Sequence, residues 1–276
     1  MNIAIVGLGL MGGSLALSLR ELDFIDEIVG SDHNQEHQKE ALELGLVSKI
    51  VNFEEVKNYD VVFLAIPVDG VISALHNLQN INENTTIIDL GSTKSKILNS
   101  VPPSIRKNFV AAHPMTGTEN FGPHAAIKHL YKEQVVVLCN LEESGEYQQL
   151  VSRKIFKALG MKKYFMKADE HDRHAAFISH MPHAISYSIA NTVMKQENKN
   201  NILALAAGGF RSMSRLAKSS PDMWEDIFRQ NKTNLLEAIE LFEGELSMLK
   251  KNIENDQWKK VNKSMDDGYK LHDILD

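Results

Sequence analysis

The residues at the start of the chain are spaced for holding phosphates. Gly7-Leu8-Gly9-Leu10-Met11-Gly12 fits G-x-G-x-x-G, and it lies between an apolar run at Asn2–Val6 and an amphipathic stretch. In that setting each glycine has a task. Gly7 permits a tight turn, Gly9 lets backbone approach a pyrophosphate, and Gly12 lets helix pack on strand. The phosphates would face the N-terminus of the helix that follows, with Leu10 and Met11 among the cofactor-binding residues. Asp32 closes the next apolar run, about twenty residues further on. Its carboxylate suits a ribose hydroxyl and repels a 2′-phosphate. His33 and Asn34 supply no fixed cation to offset that repulsion, so the pattern predicts NAD rather than NADP. The competing reading is a glycine-rich structural turn with a solvated Asp.

Further candidates lie downstream. Asp89-Leu90-Gly91-Ser92-Thr93-Lys94 follows a strand-like run, where open α/β sheets bind ligands; Ser92 also suits a helix cap there. His113-Pro114-Met115-Thr116-Gly117-Thr118-Glu119 follows another. An imidazole in that place can act as a general base near neutral pH, or be an ordinary loop histidine. Ser179-His180-Met181-Pro182-His183 puts two imidazoles at i, i+3 on one helix face. Such a pair can ligate metal, but no cysteine pair or carboxylate set completes a site, so no metal is expected. His180 reads as a partly buried histidine at a helix kink.

These segments must be positioned by the elements between them. Runs at Asn2–Val6, Glu27–Ser31, Val61–Ile66, Thr85–Asp89, Phe109–Ala112 and Gln134–Leu138 are rich in Val, Ile and Ala with little alternation. Strands buried on both faces of a mostly parallel sheet look like this. Ser14–Leu22 and Gln35–Leu44 read as crossover helices, giving a doubly wound, Rossmann-type α/β domain over 1–166. Helical periodicity takes over in an all-α domain over 167–276. Asp169–Met194 is predicted as one helix kinked at Pro182. Gln196–Asn201 is a polar break, followed by a helix through Ala206 and a glycine-led loop from Gly208 to Ser220. Ser220-Pro221-Asp222 then starts a helix that could reach Ile253. Trp224, Ile227, Asn231, Leu235, Ala238, Leu246, Leu249 and Ile253 form its stripe, longer than a domain of this size can cover.

Composition excludes several classes. The 276 residues are 43% hydrophobic and 24% charged, enough to bury a large core. A net charge of −6 argues against a nucleic-acid binder. Cys139 is the only cysteine, which excludes a disulfide-stapled secreted fold. The first basic residue is Arg20, so no signal peptide is expected, and the longest apolar run, Val61–Val68, cannot span a bilayer. These features predict a cytoplasmic protein.

Taken together, GLGLMGGS, GSTK, HPMTGTE, SHMPH and Gly208-Gly209-Phe210-Arg211-Ser212-Met213-Ser214-Arg215 with Pro221…Trp224 resemble the prephenate dehydrogenase family of tyrosine biosynthesis over nearly the whole chain. The resemblance implies a Rossmann domain plus a helical domain that forms a homodimer, NAD as cofactor, and oxidative decarboxylation of prephenate to 4-hydroxyphenylpyruvate. It implies that His113 takes the ring-hydroxyl proton and that Ser92 bonds this hydroxyl and orients His113. Arg215 would bind a substrate carboxylate and His183 would face the substrate side chain. Glu119 and Trp224 would belong to gate and wall. Arg211 is either a further substrate contact or an ion pair. Ser212 departs from the Asp common in the family, so a charge network through that position is shorter here. The chain's end at 276 implies no fused mutase or regulatory domain. Alternatives are an arogenate dehydrogenase, another NAD(P)-dependent dehydrogenase or reductase with a helical second domain, and a dinucleotide-sensing module without turnover.

Overall fold

The computed structural model describes residues 1–196 and 198–275, the side chain of Leu275 excepted. Packing divides the chain into two compact units, Met1–Asn231 and Lys232–Asp276.

The first unit is built on a seven-stranded sheet of order β2-β1-β3-β4-β5-β6-β7. The strands are β1 (Asn2–Val6), β2 (Glu27–Ser31), β3 (Val61–Leu64), β4 (Thr86–Asp89), β5 (Phe109–Pro114), β6 (Val135–Cys139) and β7 (Lys162–Met166). The first five are mutually parallel. β6 pairs antiparallel with β5, and β7 runs parallel to β6. The apolar runs form strands because helices cover both faces: Ile3, Ile5, Phe63 and Ile88 bury to one side, Ala4, Val62, Leu64 and Ile87 to the other. β7 has no counterpart among the predicted strands. It is an edge strand with largely exposed side chains, so burial leaves no apolar signature in its sequence.

Helices α1 (Leu10–Leu19), α2 (Gln35–Glu43), α3 (Val68–Asn77), α4 (Ser95–Asn99) and α5 (Glu146–Ala158) connect the strands. α1 begins four residues before the predicted Ser14, directly on the glycine loop. The Asn34 side chain accepts from Glu36 N at 2.9 Å and caps α2.

Beyond β7 come α6 (Ala168–Ala175) and α7 (Met181–Met194), joined by a π-turn at Ala176–His180. The single long helix is thus continuous but locally wound wider just before Pro182. Pro182 has no N–H for a regular ladder, and a π-turn is one way to relieve that mismatch. Glu197, in the predicted polar break, lies outside the described residues. α8 (Lys199–Ala204) begins inside that break. The expected loop from Gly208 is instead helix α9 (Gly208–Ser214) and a 3-10 turn at Arg215–Lys218. Neither glycine there needs a positive φ, so nothing opposes helix.

α10 (Pro221–Gln230) starts as expected, with Ser220 capping at Met223 N. It does not run on to Ile253. Asn231 leaves helical geometry at φ −113°, ψ 30°, because its side chain is committed to buried partners, the Asp172 carbonyl and His180.

The second unit consists of α11 (Lys232–Glu254), α12 (Trp258–Tyr269) and α13 (His272–Leu275). Leu241, Leu246, Met248, Ile253, Trp258 and Met265 remain exposed on it. Among the described residues no helix is long and apolar enough to cross a membrane.

Candidate active site

Parallel pairing from β2 to β5 makes the loops after β1, β2, β4 and β5 leave from one edge of the sheet. Gly7–Gly12, Asp32, Ser92 and the end of β5 at His113 therefore gather there, where β1 and β3 diverge to the two sides of the switch point.

The glycine loop has the shape its sequence implies. Gly7 sits at φ +92°, and a Cβ on it would strike the Ala65 carbonyl; a Cβ on Gly12 would strike the Gly7 carbonyl. Gly9 faces open space, its nearest neighbour being Gly122 N at 4.0 Å from an added Cβ. Gly9 also precedes Leu10 without a side-chain cap, and the first turn carries no acid. Backbone N–H groups of Leu10 and Met11 at an uncapped helix start, beside open space, fit a pyrophosphate. The Met11 carbonyl is held by the Tyr131 hydroxyl at 2.7 Å.

Asp32 is engaged by backbone on both oxygens. Its Oδ2 accepts from Leu8 N at 2.8 Å and its Oδ1 from Asn34 N at 2.9 Å, so it also ties the glycine loop to β2. His33 and His37 lie 3.4 and 3.7 Å from its oxygens.

Lys94 is fully buried. Its ammonium pairs with Asp89 and donates to the Ala112 carbonyl at 2.8 Å, and Asp89 Oδ1 accepts from Ala112 N at 3.2 Å. The loop after β4 is thereby clamped to the residue before His113. Ser92, half-buried on that loop, makes no hydrogen bond to His113 among the described residues. His113 instead meets His171 on α6, whose Nε2 is 2.8 Å from His113 Nδ1, with the rings edge to face. His171 Nδ1 is 2.8 Å from Asp172 Oδ1. Asp172 in turn accepts from Lys94 N at 2.7 Å and Ser95 N at 2.8 Å at the start of α4.

Burial works against the charged forms of His113 and His180. Burial first, then the neighbouring His171, Lys94 and His180, hold the His113 pKa well below the ordinary value. Burial likewise takes His180 down to about 4. Burial pushes the Asp172 carboxyl up, but hydrogen bonds from His171, Ser95 and Lys94 outweigh it and hold it below the usual carboxylate range.

The π-turn aligns the histidines. Nine residues separate His171 from His180, which in a regular α-helix puts them about 180° apart; one extra residue in a turn removes about 100° of that. Asn231 Nδ2 reaches both the Asp172 carbonyl at 2.6 Å and His180 Nδ1 at 3.1 Å. One turn on, His183 stacks on Trp224 with centroids 3.5 Å apart, while its Nδ1 is 2.9 Å from the Ser179 carbonyl. Burial, with the nearby Arg215 adding to it, lowers the His183 pKa. Trp224 also meets His180 edge-on, and its own Nε1 has no hydrogen-bond partner among the described residues.

Arg215, at the start of the 3-10 turn, lies 3.6 Å from Glu119 and is 57% exposed, so it is not yet desolvated. Arg211 is exposed and donates through Nε to the Ala206 carbonyl at 3.3 Å. No group of three or more His, Cys, Asp or Glu is arranged for a metal among the described residues.

Residues 15–164 match the prephenate dehydrogenase nucleotide-binding domain, and residues 167–267 match the prephenate dehydrogenase dimerization domain. The chain belongs to the prephenate dehydrogenase family. The prephenate dehydrogenase of Bacillus subtilis is 31% identical over 92% of this chain and 71% of its own length. That of Lactococcus lactis is 30% identical over 100% and 77%. The prephenate dehydrogenase of Aquifex aeolicus, solved with hydroxyphenyl propionate and NAD+, superimposes at a TM-score of 0.93 with 31% identity, covering 100% of this chain and 98% of that one.

His171, Asp172, Lys94 and Asn231 surround the candidate site although the motifs do not point to them. Lys94 lies in GSTK, a pattern that gives it no role. His171 and Asp172 were hidden in helical periodicity, although an adjacent His-Asp pair upstream of SHMPH on one helix was a usable signal.

Proposed function

We propose that this chain is an NAD-dependent prephenate dehydrogenase, forming 4-hydroxyphenylpyruvate in tyrosine biosynthesis, with His113 as its base. The observation that carries the reading is the placement of the His113 imidazole at the sheet edge, 2.8 Å from His171. From His171 the contacts run through Asp172 and Asn231 to His180, then across Trp224 to His183 near the Arg215 cation, on the same edge as a dinucleotide cradle.

NAD, when bound, supplies the acceptor for the hydride leaving the ring carbon. Gly7, Gly9, Leu10, Met11 and Gly12 hold its pyrophosphate and Asp32 its ribose. His113 takes the proton of the ring hydroxyl as that carbon becomes a carbonyl, and Ser92 bonds the same hydroxyl. Aromatisation then drives loss of CO2, whose bonding pair enters the ring. The resulting phenolate oxygen takes its proton back from His113, so no acid is needed at the departing carboxylate. Arg215 binds a substrate carboxylate through its planar fork. His183, held flat against Trp224, faces the side chain of the substrate. Glu119, beside Arg215, is a gate that substrate must displace, and Arg211 lies at the rim.

The test is stoichiometry. With prephenate, NADH and CO2 should appear one-to-one; NADH without CO2 would sink the mechanism. Arogenate in a parallel assay decides the substrate, since preferential turnover of the amino analogue would replace prephenate by arogenate in this reading.

NAD should be preferred over NADP. Asp32→Ala or Asp32→Ser should narrow that preference by about ten-fold or more, the worth of a charge-assisted hydrogen bond plus relief of repulsion. Because Asp32 also holds Leu8 N, part of the lost NAD affinity will come from a loosened glycine loop. KM values for both cofactors measure this, and a wild type that prefers NADP would refute the role of Asp32.

The same reading divides the chain into a 1–166 NAD-binding domain and a 167–276 helical substrate and dimerisation domain, supported by the step from β7 to α6 at Met166 and Ala168. Exposed apolar residues on α11 and α12 support a homodimer through the helical part. Light scattering should give twice the 31.0 kDa chain mass, and a monomer at micromolar concentration would rule the dimer out. A cytoplasmic location, with the lone Cys139 thiol buried on β6, completes the reading.

A further inference from the structure

We propose that His171 and Asp172 are positioning residues that fix the tautomer of His113, leaving its Nε2 unprotonated and available to the substrate hydroxyl. The proposal rests on the reading of His113 as the base.

The argument runs from the carboxylate outward. An ionised Asp172 can only accept hydrogen bonds, so His171 Nδ1, 2.8 Å from Oδ1, carries a proton and donates. A neutral imidazole has a single N–H, so His171 Nε2 is a lone pair. That lone pair faces His113 Nδ1 at 2.8 Å, and His113 Nδ1 must therefore be the donor. His113 Nε2 is then bare. Reversing the His113 tautomer would set two lone pairs against each other in a site where His171 is 2% exposed, a costly arrangement.

A doubly protonated His171 would invert the chain and leave His113 unable to accept a proton. Two features of the geometry leave a second proton there poorly matched. The Asp172 charge is already met by Lys94 N and Ser95 N at the start of α4. The other charged or titratable groups facing the pair are Lys94, already matched by Asp89, and His180, which Asn231 engages through Nδ1. A second proton on His171 would add a buried charge near the Lys94 ammonium, and its one carboxylate, Asp172 at 2.8 Å, already accepts from two backbone N–H groups.

The relay also has a use during turnover. When His113 Nε2 takes its proton, Nδ1–H keeps its acceptor, and the new charge is stabilised through His171 toward Asp172 without any second proton having to move. Because Asp172 also holds the backbone of Lys94 and Ser95, the same carboxylate sets the loop carrying Ser92. One side chain thereby registers both candidate catalytic groups.

The test is nitrogen-15 NMR of histidine-labelled, full-length protein at pH 8, with the His113 signals assigned by their loss in His113→Asn. His113 should be protonated at Nδ1 and bare at Nε2. In His171→Leu the Nε2–H form should appear, and kcat should fall about ten-fold or more with KM within about twofold. His171→Gln places a carbonyl oxygen near the Nε2 position, so it should restore the Nδ1–H tautomer and most of kcat. A bare Nδ1 in the wild type overturns the proposal. So does unchanged kcat and tautomer in His171→Leu, or a folded His171→Gln no better than His171→Leu. Should His171→Leu not fold, the wild-type tautomer and the Gln variant still decide. Near-normal kcat in His113→Asn would instead remove His113 as the base, while the tautomer measurement still judges the relay.

Discussion

Replacing His113 by Asn should lower kcat by about two to four orders of magnitude, the range for losing a general base. KM should change by no more than a few-fold, because the proton is taken in the transition state and the amide keeps the volume. The pH dependence follows from the environment of the ring. The active form is the neutral imidazole, so kcat/KM is complete above the His113 pKa and is lost as pH falls through it. Burial, His171, Lys94 and His180 all press that pKa well below 6.5. The acid limb should therefore lie well below pH 6.5, and activity should be nearly flat from there to neutral pH. A weaker base gives up some driving force for proton transfer, but it is fully unprotonated at working pH. Steady-state kinetics of the two proteins across pH 4–9 would check both parts. A mutant with near-normal kcat would return His113 to a structural role.

The second large effect is expected at Arg215. Arg215→Ala should reduce kcat/KM by about thirty-fold or more, corresponding to about 2 kcal/mol or above for a charge-assisted contact to a bound anion. Most of it should appear in KM, since a carboxylate held in both ground and transition states is uniform binding. In the free protein Arg215 is more than half exposed, and its ion pair with Glu119 is long at 3.6 Å. Such a pair contributes little, so exchanging Glu119 for a substrate carboxylate is cheap and the full contact is available to substrate. Arg215→Lys should recover only part of the loss, because an ammonium cannot reproduce the bidentate fork. Arg211→Ala should be milder, its Nε being engaged with the Ala206 carbonyl at the exposed rim. Unchanged KM for prephenate in Arg215→Ala would remove Arg215 from the site.

Both effects bear on how differently the two residues are held. His113 ends a central strand, and its surroundings are clamped by a buried Lys94–Asp89 pair and by α6. Arg215 lies at the end of a short helix with few buried neighbours, as suits a group that must meet an incoming anion.

By itself the sequence determined the doubly wound domain, the glycine cradle with Asp32, the change to helix after residue 166 and the motifs carrying Ser92, His113, Glu119, His183, Arg215 and Trp224. These are legible because each depends on local chemistry. Strands buried on both faces must be apolar, a phosphate turn must have glycines, and Ser220-Pro221 starts a helix in any context. Only the tertiary structure decided the rest. β7 is an exposed edge strand whose pairing, not its composition, makes it a strand. The helix from Pro221 stops at Gln230 because Asn231 is claimed by Asp172 and His180, more than fifty residues away in sequence. The segment from Gly208 is helical although its glycines suggested a loop. His171, not Ser92, lies within hydrogen-bond distance of His113 because a π-turn and the Asp172–α4 bonds bring α6 against the end of β5. Contacts of this kind join residues far apart in the chain, and no periodicity or spacing along it records which side chains will meet.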